Sequence, residues 1–201
     1  MNTRAPNPPH ARLLVLLSGS GRTLENILTQ IQQRKLPATV AGVIASKPCR
    51  GIEIARDHDI PAEIIQGNIP ARTLDTLVAD HRADWIVLAG YLRLVTITPA
   101  TRARIVNIHP ALLPAFGGKG MHGMKVHRAV IDAARRGEIT ESGCTVHLVD
   151  EQYDTGPVVL QRRCPVSPDD TPEGLAERVF ALELQAYPDA LRKLIAGHTP
   201  A

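Results

Sequence analysis

Asn107 and His109 set a carboxamide and an imidazole two residues apart at the carboxyl end of an apolar run. Side chains two apart on a strand point the same way, so both groups can face one pocket. Pro110 keeps His109 out of the helical region and fixes its direction. An amide donor beside an imidazolium suits carbonyl chemistry, where both stabilise a developing oxyanion. A second group is Ser18-Gly19-Ser20-Gly21-Arg22-Thr23, placed between a strand and a helix. Its small residues and exposed amides favour an anion such as phosphate. A dinucleotide fingerprint would need glycine where Leu24 stands and an acid where Ser46-Lys47 stands, and both are missing. A third group is the acidic loop Asp150-Glu151-Gln152-Tyr153-Asp154-Thr155-Gly156-Pro157. One of its carboxylates beside the imidazole would raise the imidazole's pKa and hold its tautomer, although the same residues also make a plain turn. Spacing alone does not say which acid that is. These residues describe a phosphate-binding α/β enzyme with a His/Asn/Asp carbonyl site.

The elements that must position these groups alternate. Strands are predicted at Leu13–Leu17, Val40–Ala45, Ala62–Ile65, Trp85–Ala89 and Ile105–Ile108. Helices are predicted at Thr23–Gln33 and Ile52–His58, and around Leu74, Leu77 and Val78. Such alternation implies right-handed crossovers and a Rossmann-like, mostly parallel sheet with helices on both faces. After Pro110 the glycines predict a long loop. A helix follows at Val126–Arg136, then an antiparallel pair at Cys144–Val149 and Val158–Val166. The last helix, Thr171–Ala196, contains Pro188, which predicts a kink or a break. One domain is expected over 12–201, behind a disordered leader at 1–11 whose first ten residues hold three prolines.

The 201 residues are 44% hydrophobic and 21% charged, without an apolar run of membrane-span length. With 3% aromatic residues the chain has little material for a base-stacking platform. Nucleic acid and membrane are therefore set aside. The formal charge of +3 is scattered instead of forming a tract, which favours small anionic ligands. Cys49, Cys144 and Cys164 read as reduced thiols of a cytoplasmic protein, and no CxxC pair offers a metal site.

The segments Leu17 to Gly21, Leu88 to Arg93, Asn107 to Pro114 (NIHPALLP), and Thr145-Val146-His147 through Asp154-Thr155-Gly156-Pro157 resemble, in family order, the phosphoribosylglycinamide formyltransferases of purine biosynthesis. The likeness runs from about Arg12 to Gly197. It implies the formyltransferase fold, a nucleotide-phosphate half followed by a folate half, and catalytic roles for Asn107, His109 and Asp154. It places the substrate phosphate on Gly21, Arg22 and Thr23, and the ribose or glycinamide end near Glu183 and the Gly90 carbonyl. Folate would lie against Leu92, Arg93, Leu94 and Val95, Asn107 and the loop Asp150, Glu151, Gln152, Tyr153 and Asp154. Its tail would lie at Arg72, across a segment shorter than in the family. Family members often carry a polar residue where Phe180 stands. The loop Phe116–Met124 is longer than in many relatives, and its glycines suit either a lid or an ordinary surface loop. The family histidine that follows it matches His127, and His147 is expected to pack or support the site. Leu113-Pro114 is expected to be cis.

The resemblance implies transfer of the formyl group of 10-formyltetrahydrofolate to the amine of glycinamide ribonucleotide, without a metal, in a monomer or homodimer. Two rivals use related machinery: a 10-formyltetrahydrofolate hydrolase, expected to carry an added N-terminal domain, and a tRNA-directed formyltransferase, expected to carry a C-terminal one. The length of this chain suits neither. A non-catalytic nucleotide- or folate-binding regulator would not need Asn107, His109 and Asp154 together.

Overall fold

Strands β1 (Ala11–Leu17), β2 (Ala38–Ala45), β3 (Ala62–Ile64), β4 (Trp85–Leu88) and β5 (Ile105–His109) alternate with helices α1 (Arg22–Gln32), α2 (Arg50–Asp57) and α3 (Ala71–Asp80) in the computed structural model, which describes residues 10–197. No helix joins β4 to β5. Helix α4 (Met124–Arg135), strands β6 (Glu141–Leu148) and β7 (Val158–Pro165) and helix α5 (Pro172–Gly197) complete the chain. The seven strands form one sheet in the order β3-β2-β1-β4-β5-β6-β7. The first five run parallel, and β6 pairs antiparallel with both β5 and β7, which gives the expected antiparallel pair at the end of the chain's sheet.

β1 shows why the sheet is covered on both faces. Leu13, Leu14, Val15, Leu16 and Leu17 are each 0% exposed, a continuous apolar run rather than an alternating one. Leu13, Val15 and Leu17 join the core beneath α1, α2 and α5, whereas Leu14 and Leu16 join the one beneath α3. The chain leaves β1 toward β2 and returns through α3 to β4 on its other side. That reversal opens a crevice at the carboxyl ends of β1 and β4, where such sheets bind ligands.

Three boundaries differ informatively from the periodicity. β6 starts at Glu141 instead of Cys144, because Ser142 and Gly143 pair with Cys164 and Arg163 of β7, and the ladder imposes an extended backbone on residues of weak strand propensity. Of the expected leader, residues 1–9 lie outside the described residues. Ala11 opens β1 opposite Ala38, and His10 Nε2 lies 2.6 Å from Thr39 Oγ1. α5 runs as one helix through Pro188 without the expected break. Proline removes the amide that would bond the carbonyl four residues earlier, that of Leu184. Asn26 Nδ2 of α1 donates to that carbonyl at 2.8 Å, so the orphaned acceptor is satisfied from outside the helix. The Tyr187 hydroxyl beside it lies 3.0 Å from Leu88 O and 2.9 Å from Val106 O, locking α5 to the ends of β4 and β5. Among the described residues no helix is long and apolar enough to cross a membrane.

Candidate active site

β5 delivers the two side chains the sequence placed together. Asn107 pairs with His147 and His109 with Thr145 across the antiparallel β5–β6 ladder, so Asn107, His109 and the His147 ring meet on one face. Asp154 reaches them from the loop between β6 and β7. Its Oδ2 lies 3.5 Å from His109 Nδ1 and its Oδ1 3.5 Å from His147 Nε2. Asp150 and Glu151 are occupied elsewhere. Asp150 Oδ1 accepts from Gln152 N at 3.0 Å and Thr155 Oγ1 at 2.7 Å, and Glu151 pairs with Arg102 at 2.9 Å.

The hydrogen bonds fix the tautomers. His109 Nε2 donates to the Phe116 carbonyl at 2.8 Å, which leaves Nδ1 to face Asp154. His147 Nδ1 donates to the Leu148 carbonyl at 2.9 Å. In its neutral form His147 then accepts from Asn107 Nδ2 at 3.1 Å, and the second amide hydrogen of Asn107 stays available to the cleft. His147 thus supports the site rather than facing a substrate.

Phe116 carries no reactive side chain, and its contribution is a carbonyl turned toward His109 by a left-handed backbone at φ 57. Two residues on, Gly118 N donates to Asp154 Oδ2 at 3.0 Å, so the glycine loop grips both partners.

Burial lowers the His109 pKa and outweighs Asp154 and the Phe116 carbonyl, which raise it. In the ligand-free site the balance therefore shifts the ring toward its neutral form, because it is buried and its Nε2–H is already committed. Asp154 has the opposite balance. Burial pushes its carboxyl up, but the His147 and His109 rings, which act in this way when they carry a proton toward the carboxylate, and the Gly118 amide together hold it below the ordinary value, hence ionised.

The cleft in front of these groups encloses 290 Å³. Asn107, His109 and Asp154 line it together with Leu92, Tyr153, Thr23, Gly90 and Glu183. Met121 and His122 of the glycine loop also form wall, a contribution the sequence signalled only through its glycines. Leu92 and Tyr153 are 55% and 40% exposed, an apolar surface able to take a flat ring.

Gly21, Arg22, Arg93, Leu94, Asp150, Glu151 and Gln152 lie outside this wall, in the segments flanking it. Val95 is 4% exposed, and its side chain packs in the core beneath α3. Arg72 is an exposed residue in the first turn of α3 and is likewise absent from the wall.

The anion loop is built by close approach. Gly21 caps α1 at φ 77, and a Cβ there would stand 2.9 Å from the Gly51 backbone. The first helical bond runs from Glu25 N to Gly21 O, which leaves the amides of Arg22, Thr23 and Leu24 without an intrahelical acceptor. Ser18 Oγ accepts from Leu92 N at 3.1 Å and Ser46 Oγ at 2.7 Å, tying this loop to the far wall of the cleft.

Residues 11–191 match the formyl transferase family. The chain belongs to that family. A chloroplastic phosphoribosylglycinamide formyltransferase of Vigna unguiculata is 40% identical over 91% of this chain and 60% of its own length. The trifunctional purine biosynthetic protein adenosine-3 of Drosophila pseudoobscura pseudoobscura is 36% identical over 96% of this chain and 14% of its own. The chain therefore spans only part of the length of these relatives. Glycinamide ribonucleotide transformylase 1 of Symbiobacterium toebii superimposes with a TM-score of 0.83 at 33% identity, over 97% of this chain and 92% of that one. Membership implies a folate-derived formyl donor. The Leu113-Pro114 bond is cis, as the family likeness led us to expect.

Within this formyl transferase, Glu183 carries a measurable electrostatic cost. Burial raises its pKa from 4.5 to about 7, against the opposing field of Arg22. The folded chain thus binds the extra proton between those two values, and stability falls as pH rises through that window. Glu183→Gln is expected to be more stable than the parent at pH 8, by up to about 3 kcal/mol, with the difference vanishing below pH 4.5. Urea unfolding at the two pH values checks it, and a difference of the same size at both would contradict it.

Proposed function

We propose that this chain transfers the formyl group of 10-formyltetrahydrofolate to the amine of N1-(5-phospho-D-ribosyl)glycinamide, a step of purine (IMP) biosynthesis. The observation that carries the reading is the convergence of Asn107, His109 and Asp154 on one cleft whose lining also includes Thr23 of the anion loop and the exposed apolar side chains of Leu92 and Tyr153. The ribonucleotide phosphate sits on the amides of Gly21, Arg22 and Thr23, and its ribose and glycinamide end reaches Glu183 and Gly90. Folate covers Leu92 and Tyr153. Arg93, Leu94 and the 150–153 turn border its longer body.

The neutral glycinamide amine attacks the formyl carbon, forming the N–C bond as the carbonyl pair moves onto oxygen. The free Asn107 Nδ2–H donates to that oxyanion. His109 starts neutral, and the negative charge developing beside it, together with Asp154, favours uptake at Nδ1 of the proton released by the attacking nitrogen. That proton is returned to N10 as the C–N10 bond breaks, leaving the formamide and tetrahydrofolate. Holding both substrates in one cleft supplies the proximity contribution. Each proton and charge of this step has a side chain to receive it. Cys49, Cys144 and Cys164 are all free, which suits a reducing compartment such as the cytoplasm.

Water in place of the amine would make the same site a hydrolase. Tetrahydrofolate release is therefore followed with and without the ribonucleotide. Release that depends on the amine is expected, and equal release without it would replace the transferase with the hydrolase.

A further inference from the structure

Arg22 is held in a way that the backbone phosphate loop does not require. Its guanidinium carbon lies over the Phe180 ring, 3.6 Å from the centroid. Its edge faces Glu177, with Nη1 3.4 Å from Oε1 and Nη2 3.2 Å from Oε2. Glu177, Phe180 and Glu183 follow each other at three-residue spacing on α5, so one helix face presents a carboxylate, a ring and a second carboxylate to the start of α1. Phe180 can offer no hydrogen bond of its own. A ring can instead orient a guanidinium, because the cation sits over the π face and keeps its in-plane N–H fork free for a bidentate oxyanion. The present occupant of that fork is a carboxylate at long distances, and the two side chains are 48% and 71% exposed. Exposed pairs of this kind are held weakly and exchange readily.

We propose that the Arg22 side chain is a phosphate clamp that Phe180 aims by stacking, with the Glu177 carboxylate occupying its fork until a phosphate displaces it. Phe180 is then a positioning residue that acts through Arg22, and Glu177 is an internal competitor of the substrate. The amides at the start of α1 and the guanidinium fork would hold the phosphate together, which selects the phosphorylated ribosyl compound over the free riboside. This rests on the assignment of a phosphorylated substrate to this loop, so its test uses ligands that need no formyl transfer.

Ribose 5-phosphate and ribose are titrated calorimetrically into the full chain and into Phe180→Leu, Phe180→Tyr and Glu177→Gln. Phe180→Leu should weaken ribose 5-phosphate about five- to tenfold, Phe180→Tyr should keep the parent affinity, and Glu177→Gln should tighten it about two- to fivefold. Ribose should bind none of them measurably. In turnover, Phe180→Leu should raise KM for the ribonucleotide and leave kcat in place, a split that general loosening of α5 would not give. Unchanged phosphate affinity in Phe180→Leu, or weaker binding in Glu177→Gln, overturns the clamp. Opposite shifts in the two variants uphold it even if the ribonucleotide proves not to accept a formyl group, in which case the failure belongs to the proposed reaction.

Discussion

Asp154→Asn is expected to lower kcat by about 10²- to 10⁴-fold while both substrates still bind within a few-fold of the parent. The substitution is nearly isosteric, and asparagine tolerates the left-handed backbone that Asp154 adopts at φ 60. Its amide oxygen can still accept from Gly118 N, so the grip of the glycine loop is kept. What is lost is the charge 3.5 Å from His109 Nδ1, one of the two influences that raise the His109 pKa against burial. Without it the imidazole is a still weaker base, and the proton of the attacking amine has no acceptor of adequate strength. Steady-state turnover beside equilibrium titration of each substrate separates the two effects. Near-normal turnover would remove Asp154 from the mechanism.

Gly156→Ala should damage both the fold and the reaction. A Cβ at Gly156 would stand 1.9 Å from the Leu148 carbonyl oxygen, 2.9 Å from its carbon and 3.3 Å from Asp150 N. All three atoms are backbone, so no side chain can swing aside. The contact exists because Leu148 N bonds the Pro157 carbonyl at 2.9 Å, which closes the base of the loop. A methyl group forces that loop open and carries Asp154 away from the two imidazoles. A stability loss on the order of 3–5 kcal/mol is expected, among the larger effects of a single methyl group, with turnover falling alongside it. A urea midpoint close to the parent's, with full activity, would show that the turn yields more cheaply than its geometry implies.

The glycine of the D-x-G-P motif shows how far the sequence could be read. Its turn-forming character is a matter of residue type, but the backbone it touches lies eight positions away and is known only from the folded loop. Asn107 and His109 were legible because a strand repeats every two residues and needs no tertiary knowledge to put them on one side. Which of Asp150, Glu151 and Asp154 would meet the imidazole was not legible from spacing, since all three share one turn. Family likeness pointed to Asp154, and the geometry agrees because the other two carboxylates are bonded within the turn or to Arg102. The Phe116 carbonyl was invisible for a different reason: a backbone acceptor has no residue type. The burial of the Val95 side chain in the α3 core was not legible either, since residue type does not say which aliphatic of a loop turns inward. Pro188 broke the helical pattern locally, yet an asparagine more than a hundred residues earlier satisfies the carbonyl it orphans.

The most direct measurement is a single turnover with enzyme in excess over 10-formyltetrahydrofolate, in the presence of the ribonucleotide, scoring by mass spectrometry where the formyl group goes. The account predicts one formylated glycinamide ribonucleotide for each tetrahydrofolate released, with both products suppressed together in Asp154→Asn. Free formate in place of the formamide, or an undiminished yield from Asp154→Asn at the parent's rate, would contradict it.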